Sequence, residues 1–481
     1  MRSVSDRRAR RVRDERGAGT LEYLGVVVVA ALLVVAVVTG VRSAAVAQHV
    51  TAALCDIRSA VSQAGDCGGD DDPTTYDGQD GDGLTAGAPR EAGEGSSGDA
   101  EKTGDAASPD YVNASDDREE ADPERVADAL EELRDALEGG FFGVRAGDLE
   151  DARDAVADLN GRELDALIAS MDDEELERWV SQMEDGWLLG GWSREERREL
   201  WELLASRASK DTLDRLAKFT DELQPRFDTV GGDGARDKPE SPRNVGEYGE
   251  IEHKLFVGPI RPEDVSQGRI GDCWWIASMM AVAHADPQVI RDAITTNANG
   301  TYTVHLYEDG ERVDVTVTPD MVLMPDGTPA FVDNDGRSQP YELWPMVLEK
   351  ALAVQFGDYG AIEGGWPSDG MTALTGRPST VHGTDDLSIQ QLATTLADGG
   401  AVGAASLTPR DAKNSPYYQL DTDPERRLYP NHAYYVQSVD VEGGTVTLVN
   451  PWGIAQNPPI TMSYDDYVEQ FRRVDVNEVS R

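Results

Sequence analysis

At 481 residues the chain exceeds the usual domain size of roughly 100–200 residues, so two or three domains are expected. Its formal net charge of −46 argues against a nucleic-acid partner, because phosphate recognition needs basic patches. Such an acidic surface suits a secreted or surface protein, or a salt-adapted proteome.

The chain opens on a basic leader, residues 1–23, with Arg7, Arg8, Arg10, Arg11, Arg13 and Arg16. An uncharged apolar run, Leu24 to Val41, follows. At about 1.5 Å per residue it just spans a hydrocarbon core of about 30 Å, which predicts a transmembrane helix over 24–41. The arginine excess holds the N-terminus on the cytoplasmic side, so everything after Arg42 faces outward. Gly17-Ala18-Gly-Thr-Leu-Glu22-Tyr23 resembles the leader of Flp-type pilins and related pseudopilins. The resemblance implies cleavage between Gly17 and Ala18 and a pilus or secretion machinery as partner. Glu22 would then pair its carboxylate, costly at the membrane edge, with the Ala18 amine of a neighbouring subunit. The expected location is the bacterial cell membrane, single-pass, with processing and release as the alternative. An ordinary signal anchor is the plainer reading, and Ala44-Ala-Val-Ala offers a different cut.

The juxtamembrane segment 42–67 carries Cys55 and Cys67, close enough to pair outside the membrane; the odd cysteine is Cys273. Residues 68–121 are Gly, Asp, Ser, Thr and Glu with almost nothing apolar, and predict a disordered acidic spacer. Residues 122–227 turn helical: Val126, Leu130, Leu133 and Leu137 fall at helical spacing, as do Leu164, Leu167 and Ile168. Trp187, Trp192 and Trp201 read as core of a small helical domain, or as a partner groove. A Gly-, Pro-, Arg- and Asp-rich linker is expected over 228–248, before a last domain at 249–481.

That domain carries the chemistry. In Gln267-Gly-Arg-Ile-Gly-Asp272-Cys273-Trp274-Trp275 a turn opens into an apolar helix, with Cys273 at its N-terminus. Backbone N–H groups and the macrodipole favour an anion there, as a thiolate nucleophile needs. Gln267, on the preceding loop, is placed to reach the oxyanion of an attacked carbonyl. Asp272 reads as the helix cap. Of six histidines only His432 starts an alternating apolar run, Ala433 to Val439. A second β-like run, Thr445 to Val449, ends at Asn450, and Gly443-Gly444 between them predicts an antiparallel hairpin. That pairing sets His432 beside Asn450, whose amide oxygen would hold the imidazole tautomer. Trp452 would cover that bond from water, and Trp274 would help wall the cleft.

Gln267-Gly-x-x-Gly-Asp-Cys273-Trp, Leu343-Trp-Pro-x-Val-Leu-Glu-Lys-Ala, Tyr359 with Gly364-Gly365, His432-Ala-Tyr, Asn450-Pro-Trp-Gly and the closing Met462 to Phe471 together resemble the calpain family of papain-like cysteine proteases. The likeness runs roughly from Phe256 to Val476. It implies an α+β, two-lobed catalytic domain, a helical lobe plus an antiparallel β lobe, preceded by the α-helical domain and the membrane helix. It further implies Cys273 as nucleophile, His432 as base and acid, Asn450 as its orienter and Gln267 at the oxyanion. The expected activity is hydrolysis of protein or peptide substrates; a transamidase or effector, or a silent pilin-associated binding module, is the alternative. Family members commonly use calcium. Asp264 matches one acidic position, but Tyr359-Gly360-Ala361 has glycine where a partner acid is expected, and the loop after Trp452 is short. Since calcium takes about 6–8 oxygens, weak dependence or none is expected.

Overall fold

The computed structural model describes residues 120–137, 153–185, 194–334, 341–419, 423, 426–455 and 457–479. The leader with Gly17, Ala18 and Glu22, the apolar run 24–41, Cys55, Cys67, nearly all of the spacer, Trp187 and Trp192 lie outside the described residues. Among the described residues no helix is long and apolar enough to cross a membrane.

The first part is helical: α1 (Pro123–Leu137), α2 (Gly161–Ser170), α3 (Asp173–Asp185), α4 (Arg194–Arg207) and α5 (Lys210–Leu216). α2 starts where the sequence supplies a cap. Asn160 accepts from the Glu163 N–H while Glu163 reaches back to the Asn160 N–H, a reciprocal capping box. Leu133, Leu164, Leu167, Leu176, Leu204 and Trp201 are buried together, so Trp201 is core. The C-terminus of α4 is closed from outside its own region. Asn299 Nδ2 donates to the Ala205 and Ala208 carbonyls at 2.8 Å each, and Thr301 Oγ1 donates to Ala205 at 3.0 Å. Those carbonyls have no partner within the helix, and the buried Asn299 supplies one.

The segment expected as a linker is built into the catalytic domain. It carries a short turn of helix, Pro242–Val245, then strand β1 (Glu247–Gly249). β1 pairs antiparallel with the later strand Met321–Leu323. The Gly and Pro content that reads as flexible serves tight turns here: Gly231 and Gly232 both have positive φ.

The nucleophile half is formed by helix α6 (Cys273–Ala285), the antiparallel strands β2 (Ile294–Thr296), β3 (Tyr302–Glu308) and β4 (Glu311–Val317), then β5 (Met321–Leu323), helix α7 (Trp344–Phe356) and helix α8 (Pro367–Thr375). α6 is apolar all round, and every residue from Trp274 to Ala283 is buried, as such a helix must be. Gly365 presses on Trp274; a Cβ there would come within 2.6 Å of the indole.

The other half is one six-stranded antiparallel sheet. Its members are β6 (Thr380–His382), β7 (Ala401–Ser406), β8 (Ala433–Asp440), β9 (Thr445–Val449), β10 (Ile460–Ser463) and β11 (Phe471–Asn477), with helices α9 (Ile389–Ala397) and α10 (Tyr464–Gln470). The strand order is β10-β9-β8-β7-β11-β6. Alternation assigns the two faces. Ala433, Tyr435 and Val449 join the core around α6, whereas Tyr434, Val436, Val446 and Leu448 pack with residues of α9 and α10. The start of β8 is therefore held against the nucleophile helix. The sequence-expected α+β architecture of a helical half and an antiparallel half describes this domain.

Candidate active site

Cys273 is the first residue of α6 and keeps part of its surface open. The backbone N–H groups of Cys273, Trp274 and Ala433 bear on its sulfur and favour the thiolate. Burial opposes them and, with the Asp272 charge, pushes the thiol up to about 12. Ala433 follows His432 directly, so the sulfur lies against the strand start that carries the imidazole.

His432 is 3% exposed, and its Nε2 lies 2.9 Å from Asn450 Oδ1. The same oxygen accepts the Trp452 N–H at 3.0 Å, so Asn450 cannot swing away without losing two bonds. With Nε2 donating to Asn450, the tautomer leaves Nδ1 as the acceptor. Burial lowers the His432 pKa to about 4 although Asn450 pulls it upward. Each charge alone is thus disfavoured; ionisation must move one proton from Sγ to Nδ1, creating both charges together.

Aromatic rings and the backbone fix the imidazole further. Trp452 lies 4.7 Å from it, and Tyr429 packs on Trp452 at 4.3 Å between centroids. The His432 N–H donates to Ser406 Oγ at 3.0 Å, and the Ser406 N–H returns a bond to the His432 carbonyl at 3.0 Å. Asn431 holds φ at 51°, left-handed backbone that asparagine tolerates better than most residues. That turn aims His432 inward. Ser406 and Tyr429 carry no sequence signal of their own: a serine ending an apolar strand and a loop tyrosine acquire their roles only through tertiary contact.

Gln267 sits where the two halves meet. Its N–H donates to the Pro451 carbonyl at 2.8 Å, and Ser266 Oγ donates to the Trp452 carbonyl at 3.1 Å. The two bonds latch the nucleophile loop to the asparagine loop. Its side chain folds back, Nε2 donating to the Ile270 carbonyl at 2.6 Å. One N–H of that amide is thereby used, and the amide also bears on the Asp272 carboxyl.

Two expectations change. Trp274 does not wall an open cleft: it is 4% exposed and its Nε1 donates to the Ile362 carbonyl at 2.9 Å, because the first turn of α6 faces the loop that ends in Gly365. Asp272 occupies the cap position but makes no side-chain cap bond. Its carboxyl turns into the protein toward Glu349, a residue the sequence did not single out.

Asn334 Nδ2 donates to the backbone carbonyls of both Asp264 and Glu342, two buried acids. Their carboxylates are engaged by backbone: Asp264 Oδ2 takes the Arg261 N–H at 2.7 Å, and Glu342 Oε1 takes the Val257 N–H at 2.8 Å. Among the described residues no three of His, Cys, Asp or Glu come together as a metal site. The donor set does not make a calcium cage.

Residues 242–478 match the family described as "Calpain family cysteine protease". They form a calpain-family catalytic domain. The chain is 31% identical over 234 residues to "Calpain-type cysteine protease ADL1" of Oryza sativa subsp. japonica, covering 45% of this chain and 10% of that one. It is 30% identical over 235 residues to "Calpain-type cysteine protease DEK1" of Zea mays, with the same shares. Against "Calpain-1 catalytic subunit" of Homo sapiens it is 28% identical over 240 residues, 47% of this chain and 32% of that one. The likeness thus spans a tenth of the plant relatives and about a third of the calpain-1 subunit. His432, Asn450, Cys273 and Gln267 all fall inside the calpain-family region.

Proposed function

We propose that the chain is a membrane-tethered, outward-facing calpain-like cysteine endopeptidase, acting through a thioester acyl-enzyme on Cys273. The observation that carries the catalytic part is the pairing of His432 with Asn450 at 2.9 Å beside a cysteine at a helix N-terminus. His432 Nδ1 takes the Sγ proton as sulfur attacks the peptide carbonyl. In this reading the Cys273 N–H and the Gln267 amide serve as the oxyanion donors, where one such donor is worth roughly 10²–10³ in rate. The C–N bond breaks and His432 returns its proton to the leaving amine. Water, deprotonated by His432, then hydrolyses the thioester and restores the thiol.

The tether rests on the arginine-flanked apolar run Leu24 to Val41. The Gly17/Ala18 junction supports prepilin-type processing and a pilus or secretion machinery as the assembly partner. The described helices of the N-terminal region support a docking role, since α4 is capped by Asn299 on the β2–β3 connection. Calcium regulation is a family trait; here the latch from Ser266 and Gln267 to Trp452 and Pro451 offers alignment by hydrogen bonds alone.

The test is digestion of an unfolded protein by the full chain and by Cys273→Ala, with and without chelator. Cleavage by the native chain alone, retained in chelator, is expected. Equal cleavage by both would sink the catalytic assignment, and loss in chelator restored by calcium would sink the latch as sufficient. Membrane fractionation of cells tests the tether: recovery of an unprocessed chain in the soluble fraction would contradict it.

A further inference from the structure

Asp272 and Glu349 are 0% and 2% exposed, next to the nucleophile and on α7 respectively. Neither Asp272 oxygen has a well-aligned N–H or O–H donor. Its carboxyl meets the Glu349 carboxyl, and the Gln267 amide also bears on it. Two ionised carboxylates have no donor between them, so their contact is a hydrogen bond only when one carries a proton. A buried acceptor with no donor is costly, and a second buried charge beside it, held by the Val332 N–H at 3.0 Å, adds to that cost.

We propose that Asp272 and Glu349 form a carboxyl–carboxyl pair bridged by a shared proton, and that this pair positions the Cys273 thiol and the Gln267 amide. The inference rests on Cys273 being the nucleophile.

The surroundings favour a proton over a cation. Glu363, whose charge bears on Asp272, spends its oxygens on the Gly231 and Gly271 N–H groups at 2.7 and 3.2 Å. Asp333 bears on Glu349, and the buried Tyr359 lies close to both. These neighbours are acids or a neutral phenol, and each adds negative potential or none. Lys350, next to Glu349 on α7, sends its Nζ to Thr318 and the Asp320 carbonyl instead. No metal-binding group of three is present among the described residues. Burial raises both carboxyls: Asp272 reaches about 7, with the Glu363 charge adding to the rise and the Glu349 contact opposing it, and the Asp272 charge helps hold Glu349 well above its ordinary range. The pair therefore titrates as a unit.

The consequence is local. With the proton in place the pair carries at most one negative charge beneath the sulfur, and Asp272 is anchored to α7 at the residue preceding Cys273. Without it a second negative charge would face the developing thiolate and oxyanion, and the loop from Gln267 to Cys273 would lose its anchor.

Two measurements on the full chain test this, neither needing peptide hydrolysis. The first is infrared spectroscopy at about pH 8, where ordinary Asp and Glu with pKa near 4 are ionised. A protonated-carboxyl band is expected in the native protein and should vanish in Glu349→Gln. No native band, or one that survives in both Glu349→Gln and Asp272→Asn, would overturn the shared proton. The second is the alkylation rate of Cys273, read by mass spectrometry of its own peptide so that Cys55 and Cys67 do not interfere. Glu349→Gln, whose amide donates to Asp272 as the acid would, should stay within about threefold of native at neutral pH, while Glu349→Ala falls about tenfold or more. Equal rates in native and alanine forms would overturn the positioning role. Should the alanine form not fold, the rate in Glu349→Gln still decides: a tenfold loss there would contradict the proposal.

Discussion

The two halves of the catalytic domain hold their reactive groups by different means. Cys273 is placed by packing: it begins a helix whose next ten residues are all buried, wedged between α8, β7 and β8. His432 is placed by polar contacts: Asn450 on the ring, Ser406 on the backbone, and Asn431 in a left-handed turn before it. Packing tolerates small changes of shape and resists polar ones. A hydrogen-bonded mount fails one bond at a time, and each failure leaves a buried group unpaired.

The sharpest way to break the comparison is at the ring itself. His432→Ala removes base and acid together and should lower kcat by about 10³-fold or more, with folding preserved by circular dichroism. A loss under tenfold would mean another group takes the Sγ proton. Asn450→Ala keeps the imidazole but strips the shared acceptor from His432 Nε2 and the Trp452 N–H. A fall of about 10²-fold in kcat with little change in KM is expected; a pure KM effect would make Asn450 a substrate contact.

Acid should separate the halves by sign. His432 titrates near 4 when folded against an ordinary 6.5, so the unfolded chain binds the extra proton between those values. That group's contribution is intact above about pH 6.5 and is lost as pH falls toward 4, by up to about 3 kcal/mol. Asp272 runs the other way. Its folded value, raised to about 7, binds the proton in the native state first, so it adds stability as pH falls through 7 toward the ordinary 3.8. Denaturant titrations from pH 4 to 8 should show His432→Gln gaining on the native protein in acid and Asp272→Asn losing to it. Parallel curves would mean that neither group titrates as buried.

The smallest expected effect sharpens the backbone part of the mount. Asn431→Val places a β-branched residue at φ 51° and should cost about 1–3 kcal/mol in stability, with a matching loss of rate. Asn431→Gly, free of that strain, should stay within about 1 kcal/mol of native. Equal costs for both would show that the asparagine side chain, not its backbone conformation, matters.

Much of this was legible in the chain. The apolar run after Cys273 predicts a buried helix because no polar stripe interrupts it. The alternation from Ala433, the double glycine and the run ending at Asn450 predict a hairpin that sets His432 against Asn450, and β8 and β9 pair antiparallel, Tyr435 opposite Val449. What stayed hidden was polar and tertiary. Asp272 has the residue type and position of a cap, yet its partner lies 77 positions away on α7. Glu349 reads as an ordinary acid inside an apolar helix. The stretch 228–248 has a linker's composition but finds a strand partner in β5, and composition cannot report that Glu247 lies opposite Leu323. Asn299 closes a helix that sequence places in another region.

The central claim is a covalent one, and trapping the intermediate tests it most directly. Native chain mixed with a peptide ester and quenched in acid should carry the acyl mass on the Cys273 peptide, and Cys273→Ala should carry none while losing hydrolysis. Hydrolysis that persists in Cys273→Ala, or a native chain that turns over with no acyl adduct at Cys273, would contradict the account.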